Sequence, residues 1–148
     1  MLVNRYFGSK AKLFAKAVAA TMAEPIILAA ENLRGPGRAA QMARALVAIT
    51  APGETPLEGF QMLIRSAASE SAAKIGRSEI DKRYQKLLME SLRGPRAAER
   101  AALVFALVAG VQFMRQSLEL PALAKATPAC LTALLTPLFE GLLEHHGA

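Results

Sequence analysis

Between Arg100 and Arg115 the chain has no charged residue, and this stretch, "AALVFALVAGVQFM" (Ala101–Met114), constrains the fold more than any other. Leu, Val, Ala and Phe fall on every side of a helix drawn through it, so a helix here has no wet face. The run is shorter than the roughly 20 residues a membrane span requires, so burial in protein is expected. A second greasy run, "CLTALLTPLFEGLL" (Cys130–Leu143), closes the chain's last helical pattern. A helix apolar on two sides needs two partners. One is its own core; the simplest second partner is another copy of the chain. Leu103, Leu107, Gly110 and Met114 with Leu134, Leu138 and Leu142 are the expected contacts of such a four-helix dimer interface. A tight monomeric bundle is the alternative.

The remainder points the same way. Strand-like alternation is missing and β-branched residues are few, so the fold class is all-α. A first helix is expected from Ser9, capped by its hydroxyl, with Leu13, Phe14, Ala17, Val18 and Met22 as its apolar stripe. Pro25 kinks it or marks a junction with a piece reaching Leu33. "LRGP" occurs at Leu33–Pro36 and again at Leu92–Pro95, where Gly would cap one helix and Pro enter the first turn of the next. Arg38–Ile49 reads as a short helix with Met42, Leu46 and Ile49 on one face. A loop, Thr50–Pro56, follows, with Thr55 as cap and Pro56 opening the next helix. Phe60, Met62, Leu63 and Ile64 make that helix apolar on most sides, so it should be central. Ser69–Arg93 is charged apart from a narrow stripe of Ile80, Tyr84, Leu87, Leu88 and Leu92, with Gly76 at its start or at a break. The last helix takes Thr127 as cap and Pro128 in its first turn.

At 148 residues the chain is long enough for one well-cored domain. Its net charge of +6 is uneven: Arg5, Lys10, Lys12 and Lys16 precede the first acid, Glu24. That suits an anionic partner, or simply a solvated first helix. The single cysteine, Cys130, has apolar neighbours and reads as a buried thiol in a reducing cytoplasm. His145 and His146 are the only histidines, placed in the tail, so neither a metal site nor a nucleophilic triad is expected. No glycine-rich nucleotide motif follows a strand. The expectation is a non-enzyme without cofactors. Met42, Phe60, Met62, Met89, Phe105 and Phe113 are candidates for an adaptable apolar pocket, with Gln112 or Arg65 as its polar contact; plain core is the alternative.

At the N-terminus, "VNRYFGSKAKLFAKAV" (Val3–Val18) resembles the close of the DNA-binding region in the TetR family of bacterial transcriptional regulators. Tyr6-Phe7-Gly8-Ser9-Lys10 and Leu13-Phe14 match that family's pattern of an aromatic pair, a turn, and a new helix. "GPRAAERAALVFALVAGVQFMRQSLEL" (Gly94–Leu120) looks like the family's long penultimate helix. The resemblance implies a C-terminal effector-binding and dimerisation bundle over 9–148, preceded in 1–8 by a remnant of the recognition helix. It implies DNA contacts by Asn4, Arg5, Tyr6 and Lys10, packing by Phe7 and a tight turn at Gly8. A small apolar effector would then control operator DNA binding by a cytoplasmic homodimer. Lys10 in a first helical turn opposes the helix dipole unless a phosphate lies close by. A helix-turn-helix needs a supporting helix, a turn and a recognition helix, so residues 1–8 fall short of one. The DNA-binding head is expected to be missing from this chain, and its own operator binding weak or absent. A headless helical interaction module, with neither DNA nor ligand, is the competing reading.

Overall fold

The computed structural model describes the backbone of residues 2–21, 27, 29–54 and 58–144, with side chains for these apart from 2–7, 21, 30 and 58–60. Every regular element among the described residues is helical. In chain order these are α1 (Leu2–Thr21), α2 (Ala30–Leu33), α3 (Arg38–Ile49) and α4 (Glu58–Ser66). A continuous rod follows, made of α5 (Glu70–Ile80), a π-helical turn (Asp81–Gln85) and α6 (Lys86–Ser91). Next come α7 (Ala97–Gln112), running on through a second π turn (Phe113–Ser117), then α8 (Pro121–Ala124) and α9 (Pro128–Leu143).

The centre of the fold is the α3–α9 pair. Ala39 and Ala43, one turn apart on α3, let the two backbones approach, while Met42, Leu46 and Val47 fill the seam. From α9, Leu131, Leu135, Phe139 and Leu143 face them at helical spacing. Ala101 and Val104 bring α7 onto this pair, and Tyr84, Leu88 and Leu92 bring the α5–α6 rod. Phe139 and Met42 are completely buried, so truncating either to Ala would cost about 2–5 kcal/mol. α1 lies outside, across α4 and α5, anchored by the buried Val18.

Both "LRGP" segments form the same connector. A buried Leu (Leu33, Leu92) closes one helix, and Gly35 and Gly94 take φ of +83° and +82°. The residue two further on is again left-handed, Gly37 at +79° and Arg96 at +56°, and caps the next helix. The prolines therefore stand just before the cap, not in the first helical turn as expected. Next to each connector an arginine secures the end of α9: Arg38 donates to Leu143 O and Ser91 O, and Arg100 to Leu142 O, Pro95 O and Arg93 O. Cations at a helix C-terminus satisfy carbonyls that have no intrahelical donor and oppose the dipole's negative end. Thr127 caps α9 as expected, its Oγ1 accepting from Cys130 N at 3.2 Å.

Several expectations require correction. α1 is unbroken from Leu2 to Thr21, so Gly8 makes no turn and Ser9 no cap; Lys10 lies in the third turn, not the first. One interior glycine costs only about 1 kcal/mol, less than the backbone hydrogen bonds a turn would forfeit. Leu13 leaves the apolar stripe and points to solvent. α4 is peripheral: it packs mainly on α1 and α5, and Ile64 and Arg65 are exposed. Gly76 neither starts nor breaks its helix; it lies inside α5, where Leu63 of α4 packs on its bare Cα. Cys130 is exposed because it shares a side of α9 with Leu134 and Leu138, away from α3. Met22, Pro25, Thr55, Pro56, His145 and His146 lie outside the described residues.

Candidate functional site

The chemistry gathers where α7 ends. In the π turn Phe113–Ser117 an extra residue widens the helix, and the reversal after it closes with Leu118 N to Phe113 O at 3.0 Å and Leu120 N to Met114 O at 2.9 Å. This aims Arg115 and Gln116 at the C-terminus of α3. Arg115 Nη1 donates to Val47 O and to Thr50 Oγ1, each at 2.8 Å, and Gln116 Nε2 donates to Ile49 O at 3.2 Å. Thr50 Oγ1 donates to Leu46 O at 2.7 Å, and Ala51 N reaches Ala48 O at 3.2 Å. The last four carbonyls of α3, those a helix leaves without partners, are thus all satisfied.

Arg115 is only 4% exposed and has no carboxylate within ion-pair distance among the described residues. Burial pulls its pKa below the ordinary guanidinium value, yet a guanidinium stays charged in proteins. The negative end of α3 offsets part of that buried charge. Donors remain over, however: among the described residues Nε is buried without a partner, and Nη2 makes no hydrogen bond. Two clefts open beside it. One, of about 320 Å³, is lined by Thr50, Pro52, Gly53, Glu54, Arg115, Gln116 and Glu119. The other, about 230 Å³, lies between Gln61, Ile64 and Arg65 of α4 and Phe113, Gln116 and Ser117. Gln116 is the shared wall, and its Oε1 has no donor.

Of the residues expected in an apolar pocket, Phe113 lines the second cleft, as does Arg65. Gln112 is buried one residue before the π turn, with Nε2 unpartnered. Met42 is core, and Met62 and Phe105 pack half-buried against that core, Phe105 with its ring centroid 5.7 Å from that of Tyr84. Met89 faces solvent on α6. The Phe60 side chain lies outside the described residues, as do those of Asn4, Arg5 and Tyr6. Lys10 is exposed on α1. The sequence reading missed Arg115, Thr50 and Gln116. The available signal is the charge placed at the end of an apolar helix, a position that reads in sequence as a boundary. Among the described residues no three metal-ligating side chains cluster.

A second feature is an apolar face left open on α7 and α9. Leu103, Leu134 and Leu138 are 55%, 63% and 52% exposed, Met114 and Gly110 are exposed beside them, and Leu107 and Leu142 are half-buried. Among the described residues, nothing beyond its own stretch of helix lies within 4 Å of where a Cβ on Gly110 would be. The helix Ala97–Ser117, 21 residues with a mean hydropathy of 1.5, is long and apolar enough to cross a membrane by length and composition. Arg100 and Arg115 nonetheless tie both its ends to protein carbonyls. Only 17% of its most apolar window is buried within one chain, far less than a core helix requires.

A family model described as tetracyclin repressor-like, C-terminal domain, matches residues 37–143, from the first connector to the end of α9. No curated protein and no solved structure matches significantly.

Proposed function

The chain belongs to the tetracyclin repressor-like family through its C-terminal domain, and we propose that it serves as the dimerising, effector-sensing body of a ligand-responsive transcriptional repressor. The observation that carries this reading is the family match across 37–143. The open face of α7 and α9 supports a homodimer, in which Leu103, Leu107, Gly110 and Met114 of one copy meet Leu134, Leu138 and Leu142 of the other. Burial of large apolar side chains there contributes about 1.5–3 kcal/mol each.

Effector sensing would run from the clefts to α1. The smaller cleft is walled by α4, and α4 carries α1. A ligand that binds better to one position of α4 shifts the population of α1 positions, and with it the spacing of two copies of Asn4, Arg5, Tyr6 and Lys10. Those four residues are the proposed DNA contacts, and Lys10 is of the type that holds phosphate. In this reading the protein is soluble and cytoplasmic, and it is not an enzyme.

Light scattering combined with thermal unfolding across a panel of small apolar and zwitterionic compounds tests the proposal. A dimer whose midpoint rises with one compound class is the expected result. A monomer at micromolar concentration, indifferent to every compound, would remove both halves of it.

A further inference from the structure

Effector specificity can be argued further from the cleft beside Arg115. Its floor is a cation that is 4% exposed, unpaired by any described carboxylate, with Nη2 unbonded. Its rim carries two exposed carboxylates, Glu54 and Glu119. These signs are opposed, and no described carboxylate lies within ion-pair distance of the guanidinium, so both charges stay open to a ligand. A simple anion would meet the rim acids, and a simple cation would meet the buried guanidinium, which has little water to screen it. A molecule bearing both charges a few bonds apart satisfies floor and rim together. The volume, about 320 Å³, lies at the small end of ligand cavities, which run roughly 300–1,000 Å³.

We infer that this cleft binds an amphoteric small molecule of the α-amino-acid class, its carboxylate on Arg115 Nη2 and its ammonium against Glu54 and Glu119. Thr50 and Gln116 complete the polar wall. The ligand's side chain faces the neighbouring cleft across Gln116, where Ile64 and Phe113 favour an apolar group. Arg115 has a structural duty at the end of α3, but that duty occupies Nη1 alone. The inference rests on the effector-sensing reading and names its ligand class.

The test is titration calorimetry of the full chain with each standard α-amino acid up to about 10 mM, a range that detects weak binders. The best of them is then compared with its des-amino acid and its decarboxylated amine. Both analogues are expected to bind at least about tenfold more weakly, because each leaves one charge of the cleft unpaired. In the variant Glu54→Gln/Glu119→Gln, whose altered side chains are exposed, the amino acid should lose about tenfold and the des-amino acid should catch up with it. Arg115→Lys, with folding checked by circular dichroism, should weaken every carboxylate ligand. The inference falls if no amino acid binds the folded chain, or if the des-amino acid binds wild type as tightly as its parent. If a neutral apolar compound raises the unfolding midpoint while no amino acid binds, the effector-sensing reading stands and this inference alone is lost.

Discussion

Thr50 Oγ1 accepts from Arg115 Nη1 at 2.8 Å and donates to Leu46 O at 2.7 Å, joining the end of α7 to the end of α3. One hydroxyl thus completes a helix terminus and takes one of the five N–H donors of a buried cation. Thr50→Val keeps the shape and removes both bonds. It should cost about 1–3 kcal/mol, lowering the urea midpoint without changing the m-value. A cycle with Arg115→Met should show coupling of about 1 kcal/mol or more. Simple additivity would mean that the two side chains do not act as a unit.

Leu134 and Leu138 are more than half exposed in the single chain. Leu134→Glu/Leu138→Glu should halve the mass seen by light scattering while leaving the far-ultraviolet circular dichroism unchanged. If both leucines face solvent in the native assembly, the same substitutions leave the mass as it was, which would place the dimer contact elsewhere.

Tyr84 is buried, and burial raises its phenol above the usual 10.0, partly offset by Arg83. A folded pKa above the unfolded one means that above pH 10 the unfolded chain loses this proton first. The contribution is therefore complete below about pH 10 and is lost as pH climbs through the folded value. Tyr84→Phe keeps the ring beside Phe105 and should flatten the fall in stability as pH climbs above about 10, measured by denaturant unfolding. Parallel curves for the two proteins would rule out a role for this phenol in alkaline unfolding.

The two connectors differ at one left-handed position, Gly37 in the first and Arg96 in the second. Left-handed backbone costs a side-chain-bearing residue about 1–2 kcal/mol. Arg96→Gly should therefore gain up to about 1 kcal/mol, after the flexibility it adds to the unfolded chain, and Gly37→Arg should lose about 1–2 kcal/mol. Thermal midpoints moving in opposite directions would bear this out; matching shifts would not.

A Cβ added to Gly76 would stand 2.5 Å from Leu63 Cδ2. Gly76→Ala should therefore fail to deliver the roughly 1 kcal/mol that Ala usually brings to a helix interior. With Leu63→Ala as the background that gain should appear, because the colliding methyl is gone. Equal effects in both backgrounds would show that Leu63 simply turns aside.

The sequence by itself determined the helical class, the bounds of α3 and α9, and the greasy character of α7. Each of these rests on local periodicity or on a cap such as Thr127, which neighbours in the chain are enough to specify. On α9 the spacing singled out the stripe that includes Leu134 and Leu138, which is exposed, whereas the inward stripe of Leu131, Leu135, Phe139 and Leu143 emerged only from the packed chain. What only the tertiary structure decided is where the polar groups meet. Arg115 and Thr50 are far apart in sequence, and nothing in either neighbourhood foretells a bond between them. Their meeting depends on the π turn that re-aims Arg115 and on how α7 lies against α3. Local signals also misled where packing had to arbitrate. Gly8 resembles a turn, yet α1 stays helical, and Gly76 resembles a break, yet Leu63 makes it a contact. Periodicity tells which residues leave water; only the packed chain tells which donor finds which acceptor, because hydrogen bonds depend on distance and direction and not on spacing in sequence.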